Sequence, residues 1–199
     1  MSKSVEELGW IVYNLDRIFN KLWEYSPGSK LKPKNTDTYI LKWLIVGAAL
    51  VILRNLPWVS YAIYIVAGLR ILDIIQAAIY IVIFNPAREN QHTVQDIRRS
   101  LILLVVNYVE LIFFFGLLYV NLPFKDVAPL LLPPHDAFYF SAISQLTVGY
   151  GDIMPCGVTK LIAVVQAFIG WGFSVLILAS FVSALPKLVE ESKHGNDRV

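Results

Sequence analysis

The sequence predicts an all-α membrane protein with four transmembrane helices, and three observations lead there. Apolar residues make up 56% of the 199-residue chain and the mean hydropathy is +0.58. They are gathered in long blocks rather than scattered, as in a polytopic membrane protein. Charged residues fall mainly between those blocks, and a Gly-Tyr-Gly string at 149–151 interrupts the last pair of them.

The length has room for one domain. A net charge of +2 without a basic stripe excludes nucleic acid as a partner. Cys156 is the single cysteine, so no intrachain disulfide forms, and no Cys/His cluster offers a metal site. The charged, amphipathic start carries no cleavable signal, which leaves insertion to the first span.

Taken in order, Val5 to Tyr25 reads as an amphipathic helix with Leu8, Val12, Leu15, Phe19 and Leu22 on one face. It is too charged to span, so it lies on the inner membrane surface, on a partner helix, or on the protein's own cytosolic loops. With the polar linker Ser26 to Asp37 it forms a cytoplasmic segment, 1–37. An extra transmembrane hairpin with its cytoplasmic loop covers 38–99, with spans at about 38–53 and 59–84. The first span is short for a hydrocarbon core of about 30 Å, and Lys42 near its end can snorkel. A third span runs over about 100–121. A short helix ending at Leu146 follows, with His135 or Asp136 placed to cap it. The last apolar run, about 160–185, is expected to stop at Pro186, leaving a charged cytoplasmic tail, 187–199.

All Lys and Arg residues except Arg54, Arg70, Lys125 and Lys160 lie in 1–42, 85–99 or 186–199. By the positive-inside rule both termini face the cytoplasm of a cell enclosed by this plasma membrane. The segment around Gly149 then enters from outside.

That segment, Thr147-Val148-Gly149-Tyr150-Gly151-Asp152, resembles the selectivity filter of the tetrameric potassium channels. Residues 100–186 resemble the pore domain of that family: outer helix, re-entrant pore helix, filter and inner helix. The resemblance implies a homotetramer in membrane lipid that conducts potassium passively, with no enzymatic chemistry. It implies potassium ions in the filter and no organic cofactor. The physical case rests on backbone oxygen. Carbonyls of Thr147, Val148, Gly149 and Tyr150, with the Thr147 hydroxyl, would replace the ion's hydration shell if four copies faced one axis. Gly149 and Gly151 permit the backbone angles this requires. A less selective cation channel and the pore subunit of a potassium uptake system are the competing readings. An intact filter string and a single loop per chain speak against them.

The same resemblance assigns further residues. Lys160 to Gly170 is similar to the start of the inner helix, which makes Gly170 a hinge, with Gly172 as competitor. Alternatively, these small residues only let helices approach closely. Ser174, Leu178 and Val182 share a helical face that would line the cavity and inner gate. Ile143 stands where some bacterial members carry a glutamate that braces the filter's terminal Asp. Tyr139 and Phe140 stand where voltage-gated relatives carry tryptophans. Tyr139 is therefore expected to brace Asp152, holding the filter mouth open and setting its inactivation. Leu146 replaces a common threonine.

The hairpin has no array of arginines and so does not read as a voltage sensor. Arg70, Asp73 and Glu110 nonetheless fall within spans, where ionisable groups are nearly always paired. An Arg70–Glu110 or Arg70–Asp73 pair is expected to lock the hairpin to the pore domain; a gating or pH-sensing element is the alternative. No soluble ligand domain is read, so chemical gating would call for an unidentified regulatory subunit.

Overall fold

The computed structural model describes residues 36–79, 94–125 and 131–196; at 36–38, 94–100, 183–184 and 186–196 the description is of the backbone alone. The amphipathic helix expected at 5–25 and the loop expected at 85–99 lie wholly or largely outside these residues. Five helices are described: α1 (Thr36–Ile52), α2 (Pro57–Ile79), α3 (Val94–Tyr119), α4 (Pro134–Gln145) and α5 (Val158–Asn196).

Three of them, over Pro57–Ile79, Leu101–Tyr119 and Val158–Val182, are long and apolar enough to cross a membrane. The described α1 is 17 residues, about 25 Å at 1.5 Å per residue and so under the hydrocarbon thickness. A tight turn closed by Leu53 N–H to the Ala49 carbonyl (3.0 Å) and Leu56 N–H to the Leu53 carbonyl (3.1 Å) reverses the chain into α2. Pro57 opens that helix, where its missing N–H costs nothing.

Helix α3 is the centre of the fold. It packs against α2, α4 and α5, with α1 on a fourth side, and its last turns are buried almost all round. The hairpin meets it along one stripe of α2, in which Val59, Ile63, Ala67, Arg70, Ile71, Ile74 and Ala78 recur at helical spacing. Glycine lets two of these contacts close. A Cβ on Gly47 of α1 would stand 2.5 Å from the Phe113 ring, and one on Gly116 of α3 would stand 2.3 Å from the Phe138 ring. Phe113 and Phe138 are themselves stacked, with centroids 5.3 Å apart, so ring contacts run from α1 through α3 to α4.

Two helix ends differ from expectation. Pro133 occupies the N-cap of α4 with no side-chain cap bond, and Pro134 takes the first helical position. His135 and Asp136 therefore lie inside the first turn, two and three residues past the N-cap. Asp136 there faces the positive end of the helix dipole. At the other end, α5 continues through Pro186 to Asn196. A proline removes one hydrogen bond and clashes with the preceding turn, but a long helix can absorb that as a local adjustment.

Candidate functional site

The segment 147–152 follows α4 directly, and its geometry begins in the backbone. Thr147, Gly149 and Gly151 have φ of 57°, 55° and 78°. Left-handed angles at alternate positions turn successive peptide planes to a common side, a path strained for Thr147 and free for the glycines. The amides of Val148 (2.9 Å) and Gly149 (3.3 Å) both donate back to the Ile143 carbonyl, and that of Thr147 donates to Ser144 (3.2 Å). The N–H groups thus serve the last turn of α4. Among the described residues, no backbone amide donates to the carbonyls of Thr147, Val148, Gly149 or Tyr150. These carbonyls are available as ligands for a cation, and the C-terminal, negative end of the α4 dipole lies at the base of the segment.

At the outer end, the Tyr139 hydroxyl donates to Asp152 Oδ2 at 2.9 Å. Phe140 does something else. It is buried in an aromatic cluster with Tyr119 and Phe124, at centroid distances of 4.9 and 5.0 Å. Ile143 is buried as well, and its carbonyl accepts the Val148 and Gly149 amides. Leu146 is exposed. The loop after α3 folds over the exit strand of the segment, with Lys125 N–H on the Met154 carbonyl (2.9 Å) and the Thr159 hydroxyl on the Pro123 carbonyl (2.8 Å).

Behind the segment lies a buried polar network. Gln166 of α5 is fully buried, and its Nε2 is within hydrogen-bond distance of the Ser141 carbonyl (3.0 Å), Ser141 Oγ (2.8 Å) and Gln145 Oε1 (3.1 Å). Its Oε1 accepts from the Tyr119 hydroxyl at 2.7 Å. Ser141 Oγ in turn donates to the Ile112 carbonyl at 2.7 Å, and the Tyr108 hydroxyl donates to the Gln145 carbonyl at 3.1 Å. Three helices are therefore joined by uncharged groups that satisfy one another, which a buried polar set must do to be stable. The roles of these residues do not follow from their places in the sequence. The available signal was Gln166 itself, a carboxamide in an otherwise apolar stretch from Leu161 to Phe173.

Gly170 sits one turn further along α5. A Cβ there would stand 2.8 Å from the Gln145 carbonyl oxygen and 3.1 Å from its Cγ. Gly172 has no such neighbour, and its Cβ would meet open space. Ser174 donates to the Gly170 carbonyl at 3.0 Å, and Leu178 and Val182 are exposed below it.

The three ionisable residues of the spans converge between α2 and α3. Arg70 Nη2 lies 2.7 Å from Glu110 Oε2 and Arg70 Nε lies 3.1 Å from Glu110 Oε1, while Nη1 binds Asp73. Tyr39 of α1 donates to Asp73 Oδ2 at 2.9 Å, and its ring lies 4.8 Å from the guanidinium carbon. The two expected pairings exist together, because one guanidinium serves them through different nitrogens.

Among known proteins, a family model described as an ion channel matches residues 103–187, which cover most of α3, then α4, the segment and most of α5. Protein LctB of Bacillus caldotenax is 30% identical over 94 residues, 42% of this chain and 70% of that protein. This chain belongs to the ion-channel family. Two-pore potassium channel 2 of Arabidopsis thaliana is 37% identical over 76 residues, 33% of this chain. Two-pore potassium channel 5 of the same plant is 41% identical over 59 residues, 29% of this chain. The channel spans only 17% and 14% of the length of those two plant relatives. No solved structure matches it.

Proposed function

We propose that four copies of this ion channel surround one axis and conduct potassium passively across the plasma membrane, with both termini in the cytoplasm. The observation that carries this reading is the alternation of left-handed angles at Thr147, Gly149 and Gly151, with the adjoining amides turned back to Ile143. Rings of four carbonyls at each level would replace the water around the ion. One chain has only one such strand, so closed symmetry has to supply the others.

Exposure leaves room for the assembly. Tyr150, Phe168, Trp171 and Leu178 are 71%, 71%, 64% and 63% exposed in the single chain, surface that neighbouring subunits and lipid would share in this reading. In this reading the Tyr139–Asp152 bond braces the filter mouth, and Ser174, Leu178 and Val182 line the cavity. Gly170 is a close-approach residue, and the inner helix bends below it, near Gly172, where the Ser174 hydroxyl already competes for a backbone carbonyl. The hairpin stays on its own pore unit through Arg70, Asp73 and Glu110, and α1 supplies the fourth span with its ends in the headgroup layer.

Purified protein in liposomes tests the proposal through potassium and sodium flux, with subunit number from cross-linking. The expected result is a tetramer whose potassium flux sodium does not match. Equal fluxes, or any other stoichiometry, would overturn it.

A further inference from the structure

We propose that Gln166 is a positioning residue of the filter. Its carboxamide holds the last turns of α4 at one height and rotation against α5, and so sets where the Ile143 carbonyl presents itself to the filter amides. This rests on the reading of 147–152 as a potassium filter for its consequence in selectivity, but not for its mechanics.

Three contacts tie Gln166 to the last turns of α4. Gln166 grips Ser141 by both carbonyl and hydroxyl, and Gln145 by its side chain. Ile143 lies between those two positions and bears the carbonyl on which the Val148 and Gly149 amides end. A turn of α4 about its own axis would carry that carbonyl away from both amides and release the alternating angles beyond it. The remaining face of the last turn is held by Tyr108 on the Gln145 carbonyl, and by Gly170 pressed against the same residue. Ring packing of Phe138 and Phe140 on α3 holds the opposite side of α4. At Ser141 itself the hold is polar, by Gln166 from α5 and by the Ser141 hydroxyl on the Ile112 carbonyl of α3.

Gln166 is also fixed in its turn. Tyr119 donates to its oxygen, which orients the carboxamide so that its nitrogen faces α4. A leucine at 166 would fill similar space but take from the Tyr119 hydroxyl, the Ser141 carbonyl and Gln145 Oε1 the carboxamide they bond, while the Ser141 hydroxyl keeps the Ile112 carbonyl. An unpaired buried group costs more than the bond it replaces contributed.

The test uses the full chain, reconstituted as wild type, Gln166→Leu and Tyr119→Phe. Two measurements are made: hydrogen exchange of peptides spanning 143–149, with an α2 peptide as control, and the potassium-to-sodium permeability ratio from reversal potentials. In Gln166→Leu, exchange in the 143–149 peptides is expected to rise about tenfold and the ratio to fall by a similar factor, with the α2 peptide unchanged. Tyr119→Phe, which loosens the carboxamide without removing it, is expected to move both readouts the same way by about threefold. Should Gln166→Leu fail to assemble, Tyr119→Phe decides alone. Unchanged exchange at 143–149 in the assembled variant overturns the proposal. A wild type without potassium preference, whose exchange still responds to the substitution, overturns the channel reading and leaves the positioning role standing.

Discussion

Residues 101–182 and the hairpin over 36–79 both bury polar groups at their helix contacts, and they do so with different chemistry. Behind the segment 147–152 the buried groups are neutral: Tyr119, Ser141, Gln145 and Gln166 share hydrogen bonds over three helices. Between the hairpin and α3 they are ionic, with a guanidinium held by two carboxylates and covered by the rings of Tyr39 and Trp43. A neutral network has a modest desolvation cost and fixes orientation through many small terms. An ion pair in an apolar surrounding fixes attachment through one large term, because losing either partner strands a charge. The pore region is therefore tuned in small steps, and the hairpin is either docked or not.

Breaking the ionic tie tests this contrast most severely. Glu110→Ala is expected to cost about 3–5 kcal/mol, since it leaves Arg70 buried with half its partners. Thermal unfolding in detergent measures it. The double change Arg70→Met with Glu110→Leu is expected to recover most of that loss. A double variant as unstable as the single one would show that shape, not charge, holds the hairpin.

The two glycines of the inner helix sharpen the comparison at intermediate size. Gly170→Ala places a methyl against the Gln145 carbonyl and is expected to destabilise by about 1–3 kcal/mol. Gly172→Ala meets no neighbour and is expected to change stability by less than about 0.5 kcal/mol. Melting of the two variants side by side decides it, and equal effects would remove the distinction drawn between them.

The sequence made the coarse plan legible because the cues were local. Apolar blocks mark α2, α3 and α5, and a charge inside such a block announces a partner, which is why Arg70, Asp73 and Glu110 could be grouped before any coordinates. Which carboxylate Arg70 meets was open, and it meets both. The Gly-Tyr-Gly string is likewise local, since Gly149 and Gly151 stand at positions that take left-handed angles. What could not be read depends on register between helices. Nothing near Gln166 in the chain says that Ser141, Gln145 and Tyr119 converge on it from two other helices. Gly170 and Gly172 look alike until the position of Gln145 is known. Pro186 misled because proline's local preference is to end a helix, and α5 overrides it.

A small effect on stability is expected at the Tyr139–Asp152 bond. Tyr139→Phe removes one hydrogen bond at an exposed site, so the melting temperature should hardly move. The rate of inactivation in patch recordings should change nonetheless, because the bond joins the helix before the filter to the residue after it. Unchanged inactivation would confine the bracing to the neutral network behind.

The 39 residues of α5 amount to a rod of about 58 Å, nearly twice the hydrocarbon thickness. Roughly half of it therefore stands clear of the lipid as a continuation of the spanning segment. Torque applied to that shaft in the aqueous phase passes Pro186, where one backbone hydrogen bond is missing, before it reaches the Gly172 region.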